Sequence, residues 1–145
     1  MPNLLVLCTG NYYRSRFAEI LFNHHAKARS LDWRAFSRGL ALDPNNLGPM
    51  SIHTLARLQA MGIPHAEYLR LPEDVARPDF DAAHHVVAVK EAEHRPLMRR
   101  RFPDLVDRVE YWGVHDLDCA GPVEALNHLE QEVLALLDRL AAPHS

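Results

Sequence analysis

The strongest structural signal in this chain lies at residues 4–15, which read Leu-Leu-Val-Leu-Cys-Thr-Gly-Asn-Tyr-Tyr-Arg-Ser. The apolar run at its start, residues 4–8, is typical of a strand that is buried on both faces. Thr9, Gly10 and Asn11 follow as a turn, and from Ser15 the apolar residues recur with the 3.6-residue period of a helix. The segment therefore predicts a buried strand, a tight loop and a helix in direct succession.

The rest of the chain repeats this alternation of short apolar strands and amphipathic helices. Further strands are predicted at residues 33–37, 85–89 and 109–112. Helices are predicted at 52–61, at 91–101 with a break or kink near Pro96, and from Pro122 onward. Such an alternation predicts a parallel sheet covered by helices on both faces. No repeat or linker divides the chain, so we expect residues 1–145 to form one α/β domain around a central four-stranded parallel sheet.

Composition narrows the possible functions. The chain is 48% hydrophobic and 24% charged, with a formal net charge of −3, which is unlike the basic surface of a nucleic-acid-binding protein. No apolar stretch is longer than residues 4–8, which is far too short to span a membrane. Two cysteines, Cys8 and Cys119, are too few for a disulfide framework or a zinc site. We therefore expect a cytoplasmic protein without metal or cofactor that binds neither nucleic acid nor membrane.

Cys8 and Arg14, separated by five residues, carry the chemistry that the loop predicts. A cysteine between a strand and a helix N-terminus lies where backbone N–H groups and the helix dipole attract an anion. Together with Arg14, these groups favour the thiolate over the thiol. The planar guanidinium can bind two oxygens of one phosphate, while Gly10 and Asn11 tolerate the positive φ of a tight loop. The spacing predicts a phosphate-binding loop with a nucleophilic cysteine.

This loop resembles that of the low-molecular-weight protein tyrosine phosphatase family. The family reads Cys-x-Gly-Asn-x-Cys-Arg-Ser-Pro-x-Ala-Glu, and residues 8–19 differ from it only at Tyr13 and Arg16. Ser37-Arg38-Gly39 is similar to the family's Ser-Ala-Gly after the second strand, and the order of strands and helices matches over nearly the whole chain.

The resemblance implies a role for each residue of the loop. Cys8 would be the nucleophile and Arg14 the phosphate clamp, while Asn11 would hold the loop's shape and Ser15 would donate a hydrogen bond to the thiolate. The implied substrate-binding residues are Thr9, Gly10, Asn11, Tyr12, Tyr13 and Ser15.

The family's general acid belongs to an Asp-Pro pair in the loop before the last helix. Here Asp116 is the best match, although Leu117 replaces the proline, and Asp118 is a second candidate. The aromatic pair that often follows the Asp-Pro is absent, and we expect Tyr12 to supply an aromatic wall instead.

Besides the absent aromatic pair, two departures from the family pattern have chemical consequences. Tyr13 replaces the second loop cysteine, so the usual disulfide within the loop cannot form. Arg16 replaces a proline and is expected to add a charge beside the pocket. Cys119 has two interpretations: a small packing residue, or a resolving thiol that forms a disulfide with oxidised Cys8.

The resemblance thus implies a cysteine-dependent phosphomonoester hydrolase that acts on phosphotyrosine or aryl phosphates through a cysteinyl-phosphate intermediate. Tyr12 stands where arginine-specific members have Thr, which favours an aryl phosphate over phosphoarginine. Two alternatives stay open: an arsenate reductase, which shares the fold, and a phosphate-binding module without turnover, because Leu117 replaces proline. The expected partner is a phosphorylated protein or a small aryl phosphate, and the oligomeric state is left open.

Overall fold

The computed structural model describes residues 2–116 and 121–142, and a parallel β-sheet forms its centre. The described strands are β1 (Asn3–Cys8), β2 (Arg34–Gly39), β3 (His85–Ala88) and β4 (Glu110–Tyr111). They lie in the order β2-β1-β3-β4, and every pair is parallel. The predicted α/β architecture with a four-stranded parallel sheet is confirmed.

Helices connect and cover these strands. The described part of the chain contains α1 (Arg14–Ala28), α2 (Ile52–Ala60), α3 (Arg77–Ala82), α4 (Glu91–Arg101) and α5 (Pro122–Ala141). Short 3₁₀ helices occupy Ala66–Tyr68 and Pro103–Arg108. Within the described ranges, no helix has the length and apolar character that crossing a bilayer requires.

The sequence predicted a break or a kink near Pro96, and helix α4 runs through Pro96 without a break. A proline inside a helix removes one backbone hydrogen bond, which costs stability but does not force the chain apart. Packing compensates here, because His94 and Met98 of the same helix are fully buried.

The two faces of β1 pack against different helices. Leu4, Val6 and Cys8 belong to a core that includes side chains of α1 and α5. Leu5 and Leu7 belong to a second core with side chains of α3 and α4. Because side chains alternate along a strand, a run that is apolar at every position suits a strand with helices on both faces.

The central position of β1 places the loop that follows it between two neighbouring chain segments. β2 lies on one side of β1 and β3 on the other, so the chain after β1 leaves the sheet at the point where strand order reverses. Gly39, at the end of β2, approaches this loop closely, since a Cβ there would lie 2.8 Å from the carbonyl oxygen of Thr9. The loop and the end of β2 are therefore in direct backbone contact.

Candidate active site

The phosphate loop closes around the sulfur of Cys8, which is buried. The backbone N–H of Asn11 donates to Sγ at 3.2 Å, and the hydroxyl oxygen of Ser15 lies 2.9 Å from the same sulfur. Ser15 Oγ accepts a hydrogen bond from Asn11 Nδ2 at 2.9 Å, so its own proton is available to the sulfur. Two donors thus converge on Sγ, as a negatively charged sulfur requires.

Asn11 holds the curvature of this loop. Its φ is +49°, the left-handed conformation that asparagine tolerates better than most residues. Gly10, for which the sequence also predicted a positive φ, does not have one. The side-chain amide of Asn11 donates to Ser15 Oγ and Ser37 Oγ at 2.9 Å each, and Oδ1 accepts from Arg70 Nη1 and the Glu73 amide at 3.0 Å each. The side chain lies behind the loop, so the contribution of Asn11 to the pocket itself comes from its backbone.

Arg14 is held by a carboxylate that the sequence did not single out. Two parallel hydrogen bonds join its guanidinium to Glu93, at 3.0 and 2.7 Å, and a third reaches the Val114 carbonyl at 3.1 Å. Asp116 Oδ2 lies 3.5 Å from Arg14 Nη2. Burial opposes the charge, but the hydrogen bond with Glu93 and the nearby carboxylates raise the pKa of Arg14. The guanidinium is therefore fixed in orientation and permanently charged.

Glu93 is itself fixed by Thr9 and His94. The Lys90 amide donates to His94 Nδ1 at 3.1 Å, which places the ring proton on Nε2, 3.1 Å from Thr9 Oγ1. The Thr9 hydroxyl in turn donates to Glu93 Oε1. Burial lowers the pKa of His94 and favours this neutral form. Burial opposes the charge of Glu93 as well, but hydrogen bonds from His94, Arg14 and Thr9 hold its pKa well below the usual range.

Arg16 lies beneath the loop, not beside the pocket as the sequence predicted. Its side chain is 1% exposed and donates to the carbonyls of Asn11, Pro49, Tyr68 and Arg70 at 3.3, 2.9, 2.6 and 3.1 Å. Burial, with a contribution from the charge of Arg70, lowers the pKa of Arg16 to about 10. The helical direction of its side chain turns the guanidinium inward, where backbone carbonyls satisfy it.

The pocket in front of Cys8 has a volume of about 290 Å³. Its wall includes the aromatic side chains of Tyr12 and Tyr13, and the hydroxyl of Tyr12 donates to the Leu47 carbonyl. Burial, and then the charge of Asp116, raise the pKa of Tyr13 to about 12, so its hydroxyl keeps its proton. Further lining residues are Thr9, Gly10, Arg14, Ala41, Asp43, Asn46 and Ser51.

Asp116 also lines this pocket and reaches it from a loop that is anchored to the sheet. The Val114 amide donates to the Val89 carbonyl at 2.8 Å, and a bridge joins Lys90 to Gly113. Asp118 and Cys119, the second candidate acid and the candidate resolving thiol, lie outside the described residues. The geometry therefore concerns Asp116 alone.

The structure brings together Cys8, Thr9, Gly10, Tyr12, Tyr13, Arg14 and Asp116 at one pocket, with the side chains of Asn11 and Ser15 directly behind it. Sequence reasoning missed Glu93, His94 and Arg70. One signal for Glu93 was its position in the first turn after β3, because side chains there reach the same sheet edge as the phosphate loop. Within residues 2–116 and 121–142, no three His, Cys, Asp or Glu side chains are grouped as metal ligands.

The chain is similar to a known protein family over nearly its whole length. The model of the low molecular weight phosphotyrosine protein phosphatase family matches residues 3–142. No curated protein sequence matches the chain.

Three solved structures illustrate the similarity of fold. The low molecular weight protein tyrosine phosphatase from T. tengcongensis is 26% identical, with a TM-score of 0.76 and 97% of each chain covered. The corresponding phosphatase SP-PTP from Streptococcus pyogenes is 18% identical, with a TM-score of 0.82 and coverage of 98% of this chain and 95% of that one. The arginine phosphatase YwlE from Geobacillus stearothermophilus is 24% identical, with a TM-score of 0.71 and coverage of 97% and 91%.

Proposed function

Because the chain belongs to the low molecular weight phosphotyrosine protein phosphatase family and is a cysteine-dependent phosphatase, we propose that Cys8, Arg14 and Asp116 carry out its reaction. The observation that supports this most strongly is the convergence of the Asn11 amide and the Ser15 hydroxyl on Cys8 Sγ. The sulfur lies at the base of a pocket that Arg14 and Asp116 also line. Nucleophile, anion clamp and acid thus share one cavity.

In the first step, the Cys8 thiolate attacks phosphorus in line with the leaving oxygen. The loop amides and Arg14 bind the equatorial oxygens, whose negative charge must be neutralised throughout the displacement. The phosphate replaces the carboxylate of Asp116 near Arg14. Asp116 takes up a proton from the entering phosphate monoanion, or keeps the one gained from water in the preceding turnover, and delivers it to the leaving oxygen. The products of this step are the free alcohol or phenol and cysteinyl phosphate.

In the second step, the Asp116 carboxylate accepts a proton from a water molecule as that water attacks the cysteinyl phosphate. The S–P bond breaks, inorganic phosphate leaves, and Cys8 returns to the thiolate that the Asn11 amide and the Ser15 hydroxyl stabilise. Glu93 keeps the guanidinium of Arg14 in one orientation through both steps, which lowers the entropy cost of reaching each transition state.

The substrate that we propose is a phosphorylated protein or a small aryl phosphate, with phosphotyrosine favoured over phosphoarginine. Tyr12 and Tyr13 in the pocket wall offer aromatic surface against which a phenyl ring can pack. Both substrate classes need comparison, because one of the similar structures is named an arginine phosphatase. A catalytic thiol is preserved best in a reducing compartment, so we propose the cytoplasm as the site of action.

The decisive experiment measures phosphate release from p-nitrophenyl phosphate, a phosphotyrosine peptide and a phosphoarginine peptide. We expect turnover of the two aryl phosphates, full activity after exhaustive chelation, and no turnover by Cys8→Ser. A clear preference for phosphoarginine would overturn the substrate assignment, and dependence on a divalent ion would overturn the mechanism.

The acid is tested with a matched pair of variants, Asp116→Ala and Asp118→Ala. Loss of a general acid lowers turnover by roughly 10²–10⁴, and we expect that loss in Asp116→Ala only. The opposite pattern would transfer the role to Asp118.

A further inference from the structure

The described part of the chain exposes several large apolar side chains. The large apolar residues that the structure describes as exposed are Leu42, Leu47, Ile52, Leu69, Leu71 and Val123. Leu42 and Leu47 lie in the loop after β2, and Leu69 and Leu71 lie between the 3₁₀ helix Ala66–Tyr68 and α3. Exposed apolar residues scattered singly need no explanation, but a group on one face indicates a surface that binds another molecule.

Two of these residues, Leu42 and Leu71, line a second cavity of about 310 Å³. Pro44 and Pro72 complete its apolar lining, and Gly48 lies at its wall. The two sides come from separate segments, the loop after β2 and the segment before α3. A side chain of leucine or phenylalanine size fits such a volume and would find mainly aliphatic contacts.

This cavity adjoins the catalytic pocket, because Asp43 and Asn46 line both. Asn46 also lies directly on the phosphate loop: its Nδ2 is 3.1 Å from the place that a Cβ on Gly10 would occupy. One layer of side chains thus separates the two cavities. In an extended peptide, successive residues are about 3.3 Å apart, so a neighbour of a phosphorylated residue can reach the second cavity.

We propose that the substrate is a segment of a phosphorylated protein and that the cavity between Leu42 and Leu71 binds an apolar side chain within two residues of the phosphorylated one. This inference rests on the function proposed above and specifies its substrate class. A small aryl phosphate fills only the catalytic pocket and makes no use of the second cavity.

The test uses phosphotyrosine peptides with Leu or Ser at each of the four positions nearest the phosphotyrosine. Burial of a leucine side chain is strong enough to raise kcat/KM about tenfold or more. We therefore expect one position at which the Leu peptide exceeds the Ser peptide by that factor. Leu71→Ser, a change at an exposed residue, should bring this Leu-to-Ser ratio close to one.

The matched control is Leu69→Ser, since Leu69 is also exposed but does not line the second cavity. This variant should retain the full Leu-to-Ser ratio. p-Nitrophenyl phosphate, which is too short to reach the cavity, reports on the catalytic pocket in every variant. Equal rates for Leu and Ser peptides at all four positions would overturn the proposal, and so would a ratio that survives Leu71→Ser.

Binding measurements separate this proposal from the catalytic one. Dissociation constants of the same peptides for Cys8→Ser, measured by calorimetry, do not depend on turnover. The Leu-to-Ser preference should appear there as well. If wild-type protein failed to hydrolyse p-nitrophenyl phosphate while Cys8→Ser kept the preference, the proposed mechanism would fail and the peptide cavity would stand.

Discussion

Replacement of Arg16 by methionine tests whether a buried guanidinium organises the active site. Methionine keeps an unbranched stem of similar length but has no donor. The guanidinium of Arg16 donates to carbonyls of the phosphate loop (Asn11), of the loop before α2 (Pro49) and of the segment around the 3₁₀ helix (Tyr68 and Arg70). A single side chain therefore ties three segments of the site together.

The expected loss of stability follows from these contacts. The Tyr68 carbonyl keeps the Arg70 amide as a second donor at 2.9 Å, so the loss is concentrated on the other three carbonyls. A hydrogen bond to a charged group contributes about 1.5–3 kcal/mol, but removal of the guanidinium also relieves the cost of burying its charge. We expect the free energy of unfolding of Arg16→Met to fall by about 2–4 kcal/mol.

Catalysis should fall as well, because Asn11 shapes the loop that holds Cys8. A displacement of about 1 Å at an active site can lower the rate roughly 100-fold. We expect kcat/KM for p-nitrophenyl phosphate to fall about 10- to 100-fold in Arg16→Met. The kcat/KM of Arg16→Lys should lie between those of Arg16→Met and the wild type, because an ammonium group keeps the charge but cannot reach all four carbonyls.

Urea unfolding and steady-state kinetics measure the two effects, with Arg100→Met as the control at an exposed arginine. The control should change the free energy of unfolding by no more than about 0.5 kcal/mol and should leave kcat/KM at the wild-type value. The organising role would be refuted if the free energy of unfolding of Arg16→Met lay within about 0.5 kcal/mol of the wild-type value and its kcat/KM were unchanged.

Three other substitutions test the site and the sheet. Glu93→Gln weakens the bidentate contact with Arg14, so kcat/KM for p-nitrophenyl phosphate should fall about tenfold or more in steady-state assays. Asn11→Ala loses the side-chain hydrogen bonds and strains a backbone at φ +49°, so urea unfolding should show a loss of about 2–4 kcal/mol. Burial opposes the charge of Glu110, yet Arg139 and neighbouring donors lower its pKa from 4.5 to about 2. The free energy of unfolding of the wild type should therefore fall more between pH 5 and pH 3 than that of Glu110→Gln.

The sign of the last effect follows from the pKa of Glu110 in the two states. The folded protein holds the carboxylate ionised below pH 4.5, whereas the unfolded chain takes up a proton there, so acid favours unfolding. Parallel pH profiles for wild type and Glu110→Gln would contradict this. For the other two variants, wild-type kinetics in Glu93→Gln or wild-type stability in Asn11→Ala would show that these contacts are dispensable.

The local sequence was sufficient to predict the fold and the phosphate loop. The apolar run of β1 and the 3.6-residue period of α1 are properties of contiguous residues, and so is the tolerance of Asn11 for a positive φ. The groups that reach Cys8 Sγ, the Asn11 amide and the Ser15 hydroxyl, lie only three and seven residues away, so the local sequence already carries these contacts. Residues 8–15 therefore encode the loop and the immediate surroundings of the Cys8 sulfur.

The partners of those residues were decided by tertiary structure alone. Arg14 pairs with Glu93, which lies 79 positions away and reaches it only because β3 lies beside β1 in the sheet. The Arg16 side chain likewise lies beneath the loop because the carbonyls of Pro49, before α2, and of Tyr68, in the 3₁₀ helix Ala66–Tyr68, accept its hydrogen bonds there. The prediction of a charge beside the pocket was wrong, because the sequence does not show which backbone groups surround the Arg16 side chain.

The second cavity is also a product of the fold. Leu42 and Leu71 belong to two separate loops that meet because residues 73–75 join the end of β2, where the Gly39 amide donates to the Glu73 carbonyl at 2.8 Å. Hydrophobic periodicity detects side chains that face a core, whereas isolated leucines in loops carry no such pattern. Local residue order thus encodes the strands, helices and catalytic loop, while the close approach of distant segments determines how the loop is held and which surface lies beside it.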